Sequence, residues 1–226
     1  MNLDLKIILP VVIAFCISVV LCPIVIPFLK KLKFGQFVRD DGPQAHLKKA
    51  GTPTMGGLII LLSFTITTLI YMKDYPDVLP VLFVTLGFGL IGFIDDYIKV
   101  VMKRSMGLHA WQKMLGQIVV TGVFAYYVEK YSDINNELII PFIGKTVQLN
   151  STLYVILLFF IVLGTVNGAN FTDGLDGLAS SVTVLIATFF AVVAVGTGSG
   201  VAPVACAAVG CLLGFLVYNV YPAKVF

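Results

Sequence analysis

Residues Ile7–Leu29 read IILPVVIAFCISVVLCPIVIPFL, an apolar run without a charged side chain. Its length matches the ~20 residues with which an α-helix crosses a bilayer. The run is longer than the apolar part of a signal peptide and lacks a small-residue cleavage site. We therefore interpret it as a retained membrane span.

The same pattern continues along the chain. The 226 residues are 58% hydrophobic and only 12% charged, whereas a soluble domain has about 25% charged residues. The sequence predicts an all-α integral membrane protein, built as a single multi-pass domain over residues 1–226. The seven candidate spans are Ile7–Leu29, Met55–Met72, Leu79–Ile94, Met114–Val128, Leu153–Val166, Leu178–Val195 and Val201–Val217. In the last span, Gly210 and Gly214 form a small-xxx-small pair that indicates close helix packing.

Lysine and arginine are concentrated in the first and third loops between these spans. The first loop holds Lys30, Lys31, Lys33, Arg39, Lys48 and Lys49. The third loop holds Lys99, Lys103, Arg104 and Lys113. Because positive loops stay on the cytoplasmic side, loops one, three and five are predicted to be cytoplasmic and the N-terminus to be outside. In the outer fourth loop, two β-prone stretches around Gly144-Lys145 predict a small extracytoplasmic hairpin.

The third span ends in two adjacent carboxylates, in the segment Gly92-Phe-Ile-Asp95-Asp96-Tyr-Ile-Lys99. Adjacent carboxylates repel each other and are costly at a membrane boundary unless they are paired or used. They suit a divalent cation or a proton acceptor. The alternative is an interfacial helix end in which Lys99, one turn after Asp95, forms a salt bridge.

A second polar cluster is predicted in the fifth loop, Asn167-Gly-Ala-Asn170-Phe-Thr-Asp173-Gly174-Leu-Asp176-Gly177-Leu-Ala179. Glycines allow a ligand to approach the backbone closely. Asn170, Asp173 and Asp176 are spaced by three, so they could share one face that binds a nucleoside or helps to hold a cation. The alternative is that Asp173 or Asp176 caps the sixth span.

A third cluster opens the second span, His46-Leu-Lys48-Lys49-Ala-Gly51-Thr52-Pro53-Thr54-Met-Gly56-Gly57. Thr54 or Thr52 is predicted to cap this helix, whose N-terminus favours anions. Lys49 would then suit a diphosphate or a lipid phosphate. The alternative is ordinary positive-inside charge with a cap.

All three clusters fall on loops that are predicted to face the cytoplasm. Lysines, carboxylates and glycine-flanked helix starts on one membrane face suit phosphoryl transfer, which depends on positioning and charge neutralisation. A transporter or a non-catalytic membrane scaffold is the alternative class. A transporter is expected to carry charge near the middle of its spans, and these seven segments do not.

Four motifs in order resemble the phospho-N-acetylmuramoyl-pentapeptide-transferases, polyprenyl-phosphate sugar-1-phosphate transferases of glycosyltransferase family 4. The resemblance covers the chain from about Phe34 to its last residue. Its motifs are Asp41-Gly-Pro-Gln44 with His46 and Lys49–Gly57, then Gly92–Lys99, Asn170–Ala179, and Tyr218-Asn219 with Tyr221–Phe226. The Gly-Thr-Pro-Thr-Met-Gly-Gly run favours this family over sibling enzymes that use UDP-N-acetylglucosamine.

The resemblance implies a magnesium-dependent exchange in a bacterial inner membrane, with no nucleic acid partner and a homodimer. Undecaprenyl phosphate would attack the sugar-bearing phosphate of UDP-N-acetylmuramoyl-pentapeptide, and UMP would leave. Asp95 and Asp96 would be catalytic, one of them deprotonating or orienting the lipid phosphate. Phe226 would stack on uracil. The other implied substrate-binding residues are Lys49, Thr54, Lys99, Lys113, Asn170, Asp173, Asp176 and Asn219.

The resemblance also implies an expectation about the metal. The family continues beyond the position of Phe226 with Met-Gly-Asp, whose aspartate is the family's magnesium ligand, and with further spans to roughly ten. The metal ligands of this chain are therefore unknown, with Asp95 and Asp96 as candidates. We expect the chain as given to be truncated relative to the family, to bind magnesium poorly and to have little activity.

Overall fold

The computed structural model describes residues 3–31, 52–102, 106–132, 136–140 and 143–226. Within these ranges the chain forms seven helices and one two-stranded antiparallel sheet. The helices are α1 (Leu3–Lys31), α2 (Gly57–Tyr71), α3 (Val78–Val100), α4 (Ala110–Tyr131), α5 (Ser151–Thr172), α6 (Leu178–Gly196) and α7 (Ala202–Asn219). The strands β1 (Glu137–Ile140) and β2 (Lys145–Gln148) lie between α4 and α5.

The predicted all-α membrane fold is confirmed, because each of the seven predicted spans coincides with a helix. Among the described residues, α1, α3, α5, α6 and α7 are long and apolar enough to cross a membrane. α2 is apolar but has only 15 residues, and α4 carries several polar and charged side chains. The chain is therefore a multi-pass membrane protein.

Among the helices that run further than the sequence predicted, two contain polar residues of the predicted clusters. α3 continues to Val100, so Asp95 and Asp96 lie within the helix and not at its end. The charge is tolerated there because Lys99 pairs with Asp95 across one helical turn. α5 continues to Thr172, so Asn167 and Asn170 are helical and the prediction that they lie in a loop was wrong.

The chain divides into two compact units. The first unit comprises Met1–His109 and Thr172–Phe226. Its most closely packed helices are α1 and α7, where Gly210 and Gly214 face the backbone of α1. A Cβ atom added at Gly214 would lie 2.7 Å from the carbonyl oxygen of Phe15. The hydroxyl of Ser18 donates a hydrogen bond to the carbonyl of Cys211 at 2.9 Å, so the predicted close helix packing is confirmed.

The second unit, Ala110–Phe171, holds α4, the hairpin and most of α5. A pair of side-chain amides links its two helices, since Asn167 Nδ2 donates to Gln117 Oε1 at 2.9 Å. The strands pair in the register Glu137↔Gln148 to Ile140↔Lys145. Gly144, with a φ of +65°, forms the turn between them. The hairpin predicted around Gly144-Lys145 is confirmed.

Candidate active site

The ends of four helices meet at one end of the first unit. The N–H of Gly56, directly before α2, donates to the carbonyl oxygen of Phe226, which follows α7, at 2.5 Å. The N–H of Gly177, directly before α6, donates to Oδ1 of Asn219, the last residue of α7, at 3.1 Å. Asp96, near the end of α3, lines a cavity together with Gly57 at the start of α2. These are helix ends that the charge pattern predicted to share one membrane face.

Asp95 is buried, with 5% of its surface exposed. Its Oδ2 atom lies 2.6 Å from Nζ of Lys99, so the salt bridge that the sequence offered as an alternative is present. Its Oδ1 atom accepts a hydrogen bond from the N–H of Leu108 at 2.8 Å. A buried carboxylate that is paired and hydrogen-bonded avoids most of the cost of an isolated buried charge. Asp95 therefore joins the end of α3 to the turn that follows it.

The turn after α3 is shaped around Asp95 at Gly107, whose φ is +59°. A Cβ atom added there would overlap Oδ1 of Asp95 and lie 2.8 Å from Cε of Lys99. We expect Gly107→Ala to lower the melting temperature of the purified protein, because overpacking costs about 1–3 kcal/mol and each kcal/mol corresponds to about 2–4 °C. Gly144→Ala is the matched control, since Gly144 also has a positive φ but open space around it. Equal losses in the two variants would show that backbone strain alone matters and that the contact with Asp95 does not.

Asp96 is more accessible than its neighbour, with 43% of its side chain exposed. Its Oδ1 atom lies 3.3 Å from Nζ of Lys99. It lines a cavity of about 300 Å³ between α2 and α3 and is the charged member of that lining. The other lining residues are apolar side chains and glycines, namely Met55, Gly57, Leu58, Ile60, Leu61, Gly89, Gly92 and Phe93. Of the two adjacent carboxylates, Asp96 is the one that a ligand can reach.

At the N-terminus of α2, a backbone contact takes the place of the expected threonine cap. Gly56 is the N-cap residue and α2 has no side-chain capping bond, so the prediction that Thr54 or Thr52 caps this helix was wrong. Phe226 supplies the acceptor for Gly56, and its own N–H donates to the carbonyl of Pro53 at 2.8 Å. A side chain at position 56 would collide with this backbone, because an added Cβ atom would lie 2.7 Å from the Phe226 oxygen.

Two predicted phosphate-binding residues precede α2. Thr54 is half-buried and lies next to Met55, which lines the cavity that Asp96 also lines. The sequence resemblance was the signal for its role in substrate binding. Lys49 lies outside the described residues.

The loop between α5 and α6 carries the next pair of carboxylates. Asp173 is exposed and Asp176 is half-buried. Oδ2 of Asp176 accepts a hydrogen bond from the N–H of Ala223 at 3.0 Å, which joins this loop to the segment after α7. Neither aspartate caps α6, because its N-cap is Gly177 with a φ of +72° and no side-chain capping bond. The capping alternative for this loop was therefore wrong.

Two further predicted residues, Lys113 and Asn170, belong to the second unit. Lys113 is half-buried in the first turn of α4, and Asn170 is exposed in the last turn of α5. Lys113 precedes Gln117 by four residues and Asn170 follows Asn167 by three. Because Gln117 and Asn167 are hydrogen-bonded, Lys113 and Asn170 lie at the same end of this helix pair.

The carboxylates of the described residues do not form a closed metal cage. Nowhere in residues 3–31, 52–102, 106–132, 136–140 and 143–226 do three histidine, cysteine, aspartate or glutamate side chains come together as a metal site. Magnesium usually keeps several waters and binds one or two carboxylates together with substrate phosphates. Asp96, accessible at a cavity, suits that kind of site, whereas both oxygens of Asp95 already have partners.

Sequence reasoning missed several residues that build this site. Leu108 is separated from Asp95 by 13 positions, and no periodicity pairs a backbone N–H with a carboxylate at that distance. Ala223 and Val225 lie in the predicted motif Tyr221–Phe226, but the sequence assigned neither of them a role in the site. A glycine after a cluster of charges was the available signal for the turn at Gly107, because left-handed turns favour glycine.

Comparison with known proteins gives a second line of argument. The family model described as glycosyl transferase family 4 matches residues 78–226. The model described as phospho-N-acetylmuramoyl-pentapeptide-transferase signature 1 matches residues 49–61, which include Thr54 and part of the cavity wall.

Relatives that carry the name phospho-N-acetylmuramoyl-pentapeptide-transferase are similar over nearly the whole chain. Identity is 47% over 225 residues to the protein of Caldicellulosiruptor bescii, covering 99% of this chain and 69% of the relative. It is 46% over 229 residues to that of Bacillus subtilis, covering 99% and 70%. It is 47% over 216 residues to that of Clostridioides difficile, covering 95% and 67%. The chain thus spans about 70% of the length of the first two relatives.

Proposed function

The chain belongs to the phospho-N-acetylmuramoyl-pentapeptide-transferases of glycosyl transferase family 4, and on this premise we propose that it transfers phospho-N-acetylmuramoyl-pentapeptide from its UDP-linked form to undecaprenyl phosphate. A phosphate oxygen of the lipid forms a bond to the sugar-bearing phosphorus. The bond from that phosphorus to the bridging oxygen breaks, and UMP leaves with the electron pair. The product is a lipid-linked precursor of peptidoglycan.

One observation supports this function most directly. The start of α2, which carries the family signature, contacts the backbone of Phe226 on one side and shares a cavity with Asp96 on the other. A nucleotide-binding aromatic ring and an accessible carboxylate would thus lie on either side of one helix start. Phosphoryl transfer needs this kind of fixed positioning of two substrates.

The two adjacent aspartates take different roles in this proposal. Asp96 deprotonates or orients the lipid phosphate, because it is half-exposed and lines the cavity. Asp95 is a positioning residue, because it is buried and holds both Lys99 and the turn at Leu108. Lys99 touches both carboxylates and 38% of its side chain is exposed, so it is a candidate for contact with a substrate phosphate.

We assign magnesium as the cofactor, with Asp96 as its carboxylate among the described residues and substrate phosphates as its other anionic ligands. The ion would neutralise the charge that develops on the phosphates during transfer. The side chains of this chain would bind and orient the two substrates around the ion. Asp96 lines the cavity, and Thr54 directly precedes Met55, which lines it as well.

The nucleotide half of the site is assigned to Thr54, Phe226, Asp173 and Asp176 in the first unit, with Asn219 bonded to the backbone of Gly177 and Val225. Asn170 and Lys113, in the second unit, remain substrate-binding residues that the sequence resemblance predicts. The charge pattern supports a bacterial inner membrane orientation in which these helix ends face the cytoplasm, where UDP-linked sugars are made. Lys30 and Lys31 end α1, which places two of these positive charges at a helix end as the orientation requires.

The proposed function is tested by reconstituting the chain in vesicles with undecaprenyl phosphate and offering radiolabelled UDP-N-acetylmuramoyl-pentapeptide. The proposal predicts a lipid-extractable labelled product that forms with magnesium and is lost with EDTA, whereas the truncation expected from the sequence resemblance predicts little or no product. UDP-N-acetylglucosamine, offered in a parallel sample, is the control for the sibling reaction.

Three outcomes separate the candidate functions. Product from the muramoyl substrate alone supports the proposal, and product from N-acetylglucosamine alone assigns the chain to the sibling enzymes. Absence of product from both sugars would contradict the proposal for this chain and agree with the low activity expected from the sequence resemblance.

A further inference from the structure

Asn219 has an unusual position for a residue that the sequence placed in the nucleotide site. It is the last residue of α7 and only 5% exposed. Its Oδ1 atom accepts hydrogen bonds from the N–H of Gly177 at 3.1 Å and from the hydroxyl of Ser180 at 3.3 Å. Its Nδ2 atom donates to the carbonyl of Val225 at 2.9 Å. Asn219 therefore uses both acceptor positions of Oδ1 and one of the two N–H groups of Nδ2 in hydrogen bonds within the chain.

The segment that follows Asn219 reaches the start of α2 without forming a helix or strand. Its backbone is held by Tyr218, whose carbonyl accepts from the N–H of Lys224 at 2.8 Å. Val225 is fully buried and packs in one apolar cluster with Met55, Ile59 and Phe215. The bond from Asn219 to the Val225 carbonyl lies directly before Phe226, and so fixes the peptide that leads into it.

The other side of the amide group fixes the start of α6. Gly177 is left-handed, with a φ of +72°, and a Cβ atom added there would lie 3.2 Å from Cδ1 of Leu216. Its N–H points to Oδ1 of Asn219. Asp176, the residue before it, binds Ala223 in the segment after α7. The loop with Asp173 and Asp176 and the segment with Phe226 are thus joined through two side chains, Asn219 and Asp176.

We propose that Asn219 is a positioning residue that sets the spacing between Phe226 and the Asp173–Gly177 loop, and that it acts on a uridine nucleotide through these two walls without touching it. The inference rests on the proposed function for the identity of the nucleotide. Asparagine is required because its Oδ1 must accept a hydrogen bond from Gly177 while its Nδ2 donates one to the carbonyl of Val225. Aspartate would keep the first bond and face the Val225 carbonyl with a second acceptor.

The test compares Asn219→Asp, Asn219→Ser and the control Ser180→Ala in the full chain, purified in detergent. Equilibrium binding of UMP is measured at a temperature at which each variant is folded, as verified by its melting curve. We expect both Asn219 variants to bind UMP at least about tenfold more weakly, the effect of leaving a buried partner unsatisfied. Ser180→Ala should bind within about twofold of the unmodified chain, because Asn219 then keeps its bonds to Gly177 and Val225.

A second measurement separates this inference from the proposed function. Amide hydrogen exchange should become faster in peptides that contain Phe226 in both Asn219 variants, and in peptides that contain Gly177 only in Asn219→Ser. UMP binding within twofold of the unmodified chain in Asn219→Asp would overturn the inference, whatever the melting temperature. If the unmodified chain binds no UMP, the proposed function fails. Unchanged exchange at Phe226 in the variants would then overturn the positioning role as well.

Discussion

Asp96→Asn should reduce the rate of lipid-linked product formation by about a hundred- to ten-thousandfold, the range expected when a general base is removed. The amide is nearly the same size as the carboxylate but cannot accept a proton or neutralise a cation. Asp96 is half-exposed, so the fold should tolerate the change. The melting temperature is therefore expected to stay within about 2 °C of the unmodified protein, since exposed substitutions usually change stability by under ~0.5 kcal/mol.

Asp95→Asn is the matched comparison, because it makes the same chemical change one residue earlier. It removes the partner 2.6 Å from Lys99 and weakens the acceptor for Leu108. Disrupting a paired, buried carboxylate costs about 1–3 kcal/mol after allowance for the exposed part of Lys99. We expect a clear drop in melting temperature and a partial loss of activity. Asp95→Asn with full stability and no activity, beside an active Asp96→Asn, would reverse the two roles.

The contrast between these two aspartates could not be predicted from the sequence. Adjacency identified the pair as unusual, and the spacing to Lys99 predicted the salt bridge. Which carboxylate is buried depends on where the chain turns after α3, and Gly107 and Leu108 decide that. A backbone N–H that meets Asp95 from 13 residues away leaves no periodic trace, since periodicity records neighbours within one helix or strand.

The helices were predictable because the physics that forms them is local. Apolar runs of sufficient length give spans wherever they occur, so all seven appeared in the expected places. Their ends were harder, as α3 and α5 show, because a charge or an amide side chain can be satisfied inside a helix. Asn167 binds the carbonyl of Leu163 one turn earlier and Gln117 on α4, and so extends a helix that its polarity seemed to end.

The cap of α2 illustrates a third kind of miss. Thr54 and Thr52 carry the side chains that usually cap a helix, and the sequence offered no reason to prefer anything else. The acceptor came from Phe226, far along the chain, because Gly56 lets that backbone approach to 2.5 Å. A tertiary contact replaced a local one, which a reading of adjacent residues cannot anticipate.

Gly210→Ala should strongly destabilise the protein, while the same substitution at Gly164 should be neutral or stabilising. Alanine is the better helix former by about 1 kcal/mol, so propensity favours both changes. At Gly164 an added Cβ atom meets nothing within 4 Å. At Gly210 it would overlap the carbonyl oxygen of Val11 and lie 2.9 Å from Cβ of Ala14. Unfolding midpoints in mixed micelles should therefore move in opposite directions, or fall only for Gly210→Ala.

The kind of atom that is met at Gly210 makes this prediction sharper. The overlapping atom is the main-chain carbonyl oxygen of Val11, which no substitution removes. Ala14→Gly should therefore not restore the stability of Gly210→Ala. At Gly89 the nearest atoms belong to the side chain of Leu61, at 2.7 and 2.9 Å, and truncation of that leucine can make room. Gly89→Ala should therefore recover part of its loss when it is combined with Leu61→Ala, apart from the cost of the truncation itself. Rescue of Gly210→Ala by Ala14→Gly would show that side-chain contact, and not the approach of the α1 backbone, sets the distance between α1 and α7.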